Sequence, residues 1–212
     1  ETVAKAHGVN VYRTLTGFKY IGEKIREFET GALDGTYLFG FEESYGYLIG
    51  THARDKDAIV SSLVVAELAA YYASKGTNVA NELRAMYDKY GWYKEGIISV
   101  TKGGKEGVAE IQGIMDKLRA NPPKEINGVK VVTLKDFELQ AETDIATGAK
   151  TEIKLPKSNV IQVILEDGTY ITARPSGTEP KIKYYFGVNA KTESLVEEKM
   201  ESMKKAFTEI VK

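Results

Sequence analysis

A seven-residue loop in the last quarter of the chain carries groups that can bind an anion. It reads RPSGTEP over residues 174–180 and lies between two predicted strands. Hydroxyls, main-chain amides accessible at a glycine, and a guanidinium can together surround phosphate oxygens. The groups are those of Arg174, Ser176, Gly177 and Thr178, with Lys183 just beyond the loop. The pattern leaves two interpretations at even weight, an oxyanion cradle and a tight turn with a surface arginine.

A second polar cluster follows an apolar stretch in the first quarter of the chain. It reads FEESYGY over residues 41–47. Open α/β sheets bind their ligands at the ends of strands, which is where the sequence places this cluster. The Glu42 carboxylate and the Ser44 hydroxyl can accept and donate hydrogen bonds to vicinal hydroxyls of a sugar. Taken alone, the cluster is more typical of a solvated acidic loop.

The third cluster, HARDKD at residues 52–57, combines a histidine with alternating charges at a predicted helix start. Such a segment is usually solvated, and a lone histidine such as His52 is more often a surface residue than a catalyst. His7 and His52 are the two histidines of the sequence, and cysteine is absent. These counts exclude a multi-histidine metal site, a thiolate nucleophile and a cysteine-ligated zinc.

Composition limits the classes of partner. The 212 residues include 29 Lys and Arg against 30 Asp and Glu, a net charge of −1. A nucleic-acid or anionic-membrane protein would show a basic excess, so both classes are disfavoured. The longest apolar stretch, residues 58–73, is too short and too interrupted to span a bilayer. The chain opens on Glu1 without a signal peptide and in the manner of a helix interior, which predicts a piece of a longer protein.

The elements that must position the first clusters alternate between strand and helix. A strand is predicted at residues 9–12, a buried strand at residues 36–41, and a loop at residues 42–57. Apolar periodicity predicts three helices. Their apolar faces include Ile21 and Ile25, Ile59 and Leu63, and Val79 and Leu83, with Asn78 as the N-cap of the last. The alternation predicts an α/β fold.

After Gly91 the pattern changes to strands in a row with two flanking helices, which predicts an α+β domain. The predicted strands lie at residues 96–100, 129–134, 160–166, 169–174 and 182–188, and the helices lie around Ile111 and Met200. The dipeptide Asp167-Gly168 predicts a hairpin. Residues 135–157 are polar and poorly periodic, so they are predicted to be rich in loops. The predicted domains are residues 1–91 and 92–212.

The order and spacing of the motifs resemble those of the α-D-phosphohexomutases, the family of phosphoglucomutases and phosphomannomutases. The motifs are RPSGTEP followed by Lys183, FEES, RDKD and the upstream TGFKYIG. The resemblance covers nearly the whole chain. It implies that residues 1–91 form the α/β third, sugar-binding domain of the family, incomplete at its N-terminus. Residues 92–212 would form the α+β C-terminal phosphate-binding domain, a TATA-binding-protein-like antiparallel sheet with two helices.

The resemblance also implies a role for each candidate residue. The family's third-domain loop grips sugar hydroxyls, which carries over to Glu42 and Ser44, with Thr16, Gly17 and Lys19 lining the same cleft. The C-terminal loop grips the phosphate that is not transferred, which carries over to Arg174, Ser176, Gly177, Thr178 and Lys183. Lys56 matches a cleft lysine that acts as a proton-transfer or phosphate partner, and it is the candidate catalytic residue.

For the parent enzyme, the resemblance implies interconversion of hexose 1-phosphate and hexose 6-phosphate through a hexose 1,6-bisphosphate. It implies a cytoplasmic enzyme whose Mg²⁺ ligands lie outside this chain. The family's phosphoserine motif T-x-S-H-N-P and metal motif D-G-D-x-D-R do not occur in these residues. The fragment is therefore expected to be inactive without the N-terminal domains of the same protein.

Two alternatives stay open beside the mutase. One is a noncatalytic sugar-phosphate-binding module that has kept the binding loops. The other is a nucleic-acid module, for which the TATA-binding-protein-like fold would be the argument. Fold alone does not carry function, and a net charge of −1 disfavours the second alternative.

Overall fold

The computed structural model describes residues 1–15, 17–42, 45–177 and 179–212, without the side chain of Lys105. The chain divides into two compact units, Glu1–Met86 and Tyr87–Lys212. None of the helices in the described residues combines the length and the apolar character that crossing a membrane requires.

The first unit contains helices and one small sheet. Its elements are α1 (Thr2–Ala6), α2 (Phe18–Glu29), β1 (Phe39–Phe41), β2 (Tyr47–Ile49), α3 (Ala58–Ser74) and most of α4 (Val79–Tyr90). Strands β1 and β2 pair antiparallel. A small core forms where α2 packs against β2, from Phe18, Ile21, Ile25 and Leu48.

The sequence predicted the helices of this unit better than its strands. The predicted helix face of Ile21 and Ile25 is buried in α2. Residues 9–12 form no regular element, contrary to the strand predicted there. The strand predicted as buried at residues 36–41 shortens to β1, where Phe41 is 64% exposed because it lies with the exposed rings of Phe39 and Tyr47 on one face of a two-stranded sheet. The predicted loop at residues 42–57 is interrupted by β2.

Helices α3 and α4 begin at side-chain caps. The Asp57 carboxylate accepts hydrogen bonds from the amides of Ile59 at 2.8 Å and Val60 at 3.0 Å, which satisfies the first turn of α3. Asn78 Oδ1 accepts from the Asn81 amide at 3.0 Å, which confirms the predicted N-cap of α4. None of the described residues of α3 is buried, although the helix is strongly apolar.

The second unit is an antiparallel sheet covered on one face by two helices. Its strands are β3 (Trp92–Thr101), β4 (Glu125–Ile126), β5 (Val129–Asp136), β6 (Ala141–Asp144), β7 (Lys150–Glu152), β8 (Ile161–Leu165), β9 (Tyr170–Pro175) and β10 (Lys181–Ala190). Its helices are α5 (Gly104–Ala120) and α6 (Glu193–Ile210). In the described residues the strand order is β3-β10-β9-β8-β5-β6-β7, with β4 paired to β5. This confirms the predicted α+β architecture.

One core joins the helix-facing side of the sheet to α5 and α6. Alternate residues of β10, among them Tyr184 and Phe186, pack their rings against Phe207 of α6. Gly96 lets α6 approach β3 closely, because a Cβ atom there would lie 2.7 Å from Met200 Sδ. Buried and partly exposed residues alternate along most of β10, which is why the period-two alternation of the sequence predicted this strand.

The predicted hairpin at Asp167-Gly168 is confirmed, with β8 and β9 as its arms and Gly168 at φ 82°. The predicted loop at residues 135–157 is wrong in part, because it contains β6 and β7. Both strands are short, and β7 is the edge strand of the sheet with β6 beside it. Their side chains are exposed or half-buried, so they carry no alternation of apolar and polar residues.

Candidate functional site

The FEES loop (residues 41–47) leads from β1 into β2. The Glu42 amide donates a hydrogen bond to the Gly46 carbonyl at 3.0 Å, which closes the turn. Tyr45 adopts a left-handed backbone with φ 64°, and its side chain is 86% exposed. Left-handed backbone is costly for a residue with a large side chain, and such strain often accompanies ligand loops. Ser44, the second predicted sugar-binding residue of this loop, lies outside the described residues.

Glu42 and Lys56 are neighbours in the structure. The Glu42 side chain is 11% exposed, and its Oε1 lies 3.9 Å from Lys56 Nζ. A Cβ atom at Gly46 would lie 2.8 Å from both Glu42 Oε1 and Lys56 Cδ. Only glycine therefore leaves room for the carboxylate and the lysine stem to meet here.

The Lys56 ammonium has two further contacts. It lies 3.2 Å from Asp55 Oδ1 and 5.9 Å from the centroid of the Phe18 ring. Phe18 is the first residue of α2, so the lysine connects the FEES loop with the start of this helix. The ammonium thus has a carboxylate on either side and an aromatic face near by.

Gly17 and Lys19 lie at the start of α2, where Gly17 is the N-cap. Lys19 and Lys56 line one open groove of about 1190 Å³ between α2 and residues 53–59. The structure therefore brings two of the predicted cations to the same groove. Thr16, also predicted for this cleft, lies outside the described residues.

The Lys56 loop (residues 50–57) holds its own carboxylates ionised. The pKa of Asp57 is lowered by its hydrogen bond with His52, whose Nε2 is 2.9 Å away, and by the Val60 and Ile59 amides. The pKa of Asp55 is lowered, first by the Lys56 amide and then by the Lys56 ammonium. His52 is thus paired with the cap of α3.

The RPSGTEP loop (residues 174–180) connects β9 with β10 in the second unit. The Ser176 amide donates to the Lys181 carbonyl at 2.8 Å, and the Ser176 hydroxyl accepts from the Glu179 amide at 3.3 Å. A Cβ atom at Gly177 would meet no atom within 4 Å, so the backbone of the loop is open to a ligand there. Thr178 lies outside the described residues.

Arg174 and Lys183 are directly opposite each other in the register of β9 and β10. Lys183 is also directly opposite Ser99 of β3. Their alternation with the buried Ala173 and Ile182 places both cations on the sheet face away from the helices. The arrangement concentrates positive charge beside the amides and hydroxyl of the loop.

Sequence reasoning missed the residues that fix the Lys56 loop to α2. Arg54 Nη2 lies 2.6 Å from each carboxylate oxygen of Glu29, and a Cβ atom at Gly22 would lie 2.8 Å from the Arg54 carbonyl oxygen. The available signal was Gly22 itself, because a glycine inside a helix often marks a close backbone approach.

The described residues contain no group of three acidic or histidine side chains arranged to hold a metal ion. The cations and amides of the second unit can bind an anion. The carboxylate of the first unit can accept hydrogen bonds.

The chain thus combines an α/β unit that carries a carboxylate loop with an α+β unit that carries a cationic loop. Residues 1–90 match the family model described as phosphoglucomutase/phosphomannomutase, alpha/beta/alpha domain III. Residues 98–206 match the model of the C-terminal domain of the same family. The chain belongs to the phosphoglucomutase/phosphomannomutase family, as the resemblance of its motifs predicted.

Several relatives carry the name phosphoglucomutase. The chain is 38% identical over 189 residues to one from Staphylococcus epidermidis, covering 89% of this chain and 34% of the relative. It is 35% identical over 203 residues to one from Staphylococcus aureus strain MSSA476, covering 96% of this chain and 36% of the relative. The chain thus spans about a third of the length of these relatives.

A solved structure shares the fold. It is the open form of the exocytosis-sensitive phosphoprotein pp63/parafusin, a phosphoglucomutase from Paramecium. The TM-score is 0.63 at 18% sequence identity, over 94% of this chain and 34% of that one. At this identity the match supports the architecture of the chain and not its ligands.

Proposed function

We propose that this chain supplies sugar and phosphate recognition to a phosphohexomutase, an isomerase that interconverts hexose 1-phosphate and hexose 6-phosphate. The observation that carries the proposal is the pairing of Arg174 with Lys183 beside the RPSGTEP loop. The names of the Staphylococcus relatives support the enzyme class of the parent protein.

The phosphate part of the proposal rests on charge and geometry. Like charges directly opposite each other on a sheet destabilise it, so an anion between Arg174 and Lys183 would relieve their repulsion. The guanidinium can donate two parallel hydrogen bonds to phosphate oxygens, and the amide at Gly177 is sterically accessible. The loop would hold the phosphate that is not being transferred, together with the hydroxyls of Ser176 and Thr178.

The sugar part of the proposal rests on Glu42. An ionised carboxylate accepts strong hydrogen bonds from vicinal hydroxyls, and the Lys56 ammonium lies 3.9 Å from Glu42 Oε1. A mutase substrate must bind in two opposite orientations, so recognition falls on hydroxyls common to both. Ser44, Thr16, Gly17 and Lys19 would complete this part of the cleft. Lys56 is the proposed proton-transfer or phosphate partner.

The remainder of the reaction is proposed to lie outside this chain. Phosphoryl transfer depends on positioning and on neutralising charge in the transition state. Its phosphoserine donor, its Mg²⁺ and the enclosing walls for the hexose 1,6-bisphosphate would come from the N-terminal domains of the parent, a cytoplasmic enzyme. The isolated chain is therefore expected to have no mutase activity.

Amide NMR of the isolated chain tests the proposal. Titration with glucose 6-phosphate or inorganic phosphate should shift residues 176–179 with a dissociation constant of about 1 mM, roughly 4 kcal/mol. The affinity is low because a site open to water screens its charges. Arg174→Ala should abolish the shifts. Lys135→Met is the matched control, because Lys135 is paired with Glu142 at 2.9 Å and should not affect them.

Three outcomes would contradict the proposal in different ways. Interconversion of glucose 1-phosphate and glucose 6-phosphate by the isolated chain would refute its inactivity. Phosphate-dependent shifts that leave the RPSGTEP loop unchanged would refute the phosphate site. A parent gene without the T-x-S-H-N-P and D-G-D-x-D-R motifs upstream would favour the noncatalytic sugar-phosphate-binding module, since these residues contain neither motif.

A further inference from the structure

The Lys56 loop is attached to α2 through Arg54. Arg54 Nη2 lies 2.6 Å from each carboxylate oxygen of Glu29 on the last turn of α2. Its Nη1 donates to the carbonyls of Thr51 at 2.7 Å and Ala53 at 3.1 Å, both in the loop itself. One guanidinium therefore ties the loop internally and to the helix at the same time.

Helix α2 has a glycine, Gly22, where the backbone of the Lys56 loop contacts it. A Cβ atom at Gly22 would lie 2.8 Å from the Arg54 carbonyl oxygen, closer than real Cβ contacts. The main chain of the loop thus rests directly on the helix. Any side chain at position 22 would push the backbone at Arg54 outward.

The attachment acts on Lys56, two residues further along. The other end of the loop is fixed because the Asp57 amide donates to the Tyr47 carbonyl at 2.8 Å. Lys56 lies between these two anchors, with its ammonium 3.9 Å from Glu42 Oε1. Its long side chain has many rotamers, so the direction of the ammonium depends on where the loop backbone is held.

We propose that Arg54 and Glu29 form a clamp that positions Lys56 beside Glu42. The inference rests on the proposed function, because it assigns a role beside Glu42, the proposed sugar-binding residue of the first unit. Arg54 and Glu29 are positioning residues in this proposal, since the Arg54 guanidinium is bonded to Glu29 and to the loop carbonyls. Their side chains are 47% and 43% exposed, so the ion pair contributes little to stability, and its role is geometric.

Side-chain NMR of the whole 212-residue chain tests the clamp. The signature is the set of nuclear Overhauser cross-peaks from the Lys56 methylene protons to Glu42 and to the Phe18 ring. Arg54→Met and Glu29→Gln should each remove most of their intensity. Lys24→Met is the matched control, because Lys24 forms a different ion pair on α2, with Glu27 at 2.7 Å, and should leave them unchanged.

Two further variants separate position from charge and from folding. Gly22→Ala alters no charge, yet it should weaken the same cross-peaks by displacing the loop. Gly113→Ala is its control, because a Cβ atom there meets nothing within 4 Å. Exchanging the pair, Glu29→Arg with Arg54→Glu, should restore part of the intensity, since the ion pair returns without the bonds to Thr51 and Ala53.

The proposal is overturned if Arg54→Met and Glu29→Gln keep the Lys56 cross-peaks, or if Lys24→Met removes them equally. A folded chain is recognised by dispersed amide signals from the first unit and unchanged amide signals from the second unit. Failure of the proposed function is a separate result. In that case glucose 6-phosphate would shift the resonances of neither Lys56 nor the RPSGTEP loop in the wild-type chain. The Lys56 cross-peaks would still depend on Arg54.

Discussion

Arg174 and Lys183 occupy directly opposite positions on β9 and β10, on the sheet face that the helices leave open. Neighbouring strands lie about 4.8 Å apart, so two positive side chains of this length project into the same space. Such pairs oppose folding. An anion bound at the open amides and serine hydroxyl beside this pair would relieve the repulsion, which is the basis of the proposed phosphate site.

Replacing Lys183 by methionine should therefore change folding and binding in opposite directions. Without ligand, the loss of repulsion should stabilise the second unit by about 0.2–1 kcal/mol. Phosphate binding should weaken, because one of two cations is gone. Thermal unfolding with and without phosphate measures both effects. Lys135→Met provides the contrast, since it breaks the ion pair with Glu142 and should give no stabilisation. A destabilised Lys183→Met chain with unchanged phosphate shifts would disprove this role.

Gly46→Ala should disturb the contact between Glu42 and Lys56. The new methyl group would lie 2.8 Å from Glu42 Oε1 and from Lys56 Cδ, so at least one of these side chains must move. We expect a destabilisation of about 1–3 kcal/mol, as for other overpacked sites. Glucose 6-phosphate should also shift the Lys56 resonances less than in the wild type. Chemical denaturation and the NMR titration measure the two effects.

Gly113→Ala is the matched control for this substitution. Position 113 is helical and has free space around it, so alanine should stabilise the chain by up to about 1 kcal/mol. If Gly46→Ala behaved like Gly113→Ala and left the ligand shifts intact, the tight packing of Glu42 and Lys56 would have no functional role.

Local sequence signals were sufficient for most of the second unit. Alternation from Ile182 to Val188 predicted β10, and Asp167-Gly168 predicted the hairpin of β8 and β9. The pairing of Arg174 with Lys183 was not predictable from these signals. It depends on the register across the RPSGTEP loop, and a shift of one residue would move one of the cations to the other face.

The first unit shows why apolar patterns alone could not predict burial. A stripe led by Ile59 and Leu63 predicted a helix, and α3 is a helix, but Ile59 is 84% and Leu63 is 58% exposed. Helix formation is decided locally, by the apolar sequence and the Asp57 cap. Burial is decided by which elements are adjacent. The contact of Glu42 with Lys56 likewise depends on tertiary packing, because the two residues lie on either side of β2 in the sequence.

The Asp57 cap should make the start of α3 sensitive to acid. Its folded-state pKa lies below the ordinary 3.8, so the stabilisation is present above about pH 4 and disappears as the pH falls through the lowered value. The amide shifts of Ile59 and Val60 followed against pH measure this. Asp57→Asn keeps a capping oxygen and should remove the pH dependence.

Removing the partner of Asp57 provides the second arm of this test. Because the hydrogen bond with His52 is the largest cause of the lowered pKa, His52→Ala should move the transition of the Ile59 and Val60 amides to higher pH. An unchanged transition in His52→Ala would show that the two backbone amides alone hold Asp57 ionised.

The apolar surface of α3 should bind a hydrophobic dye, and Ile59 should be one of its centres. An apolar helix with no buried residue among those described leaves a large patch in contact with water. Ile59→Lys should reduce the fluorescence of 1-anilinonaphthalene-8-sulfonate and leave the amide spectrum of the first unit dispersed. Ile25→Lys is the matched contrast, because Ile25 is 0% exposed in α2. A charge there should lower the free energy of unfolding by more than about 2 kcal/mol, disrupt the small core and raise dye binding. Equal dye binding by the wild type and by Ile59→Lys would show that this face is not the hydrophobic surface the dye detects.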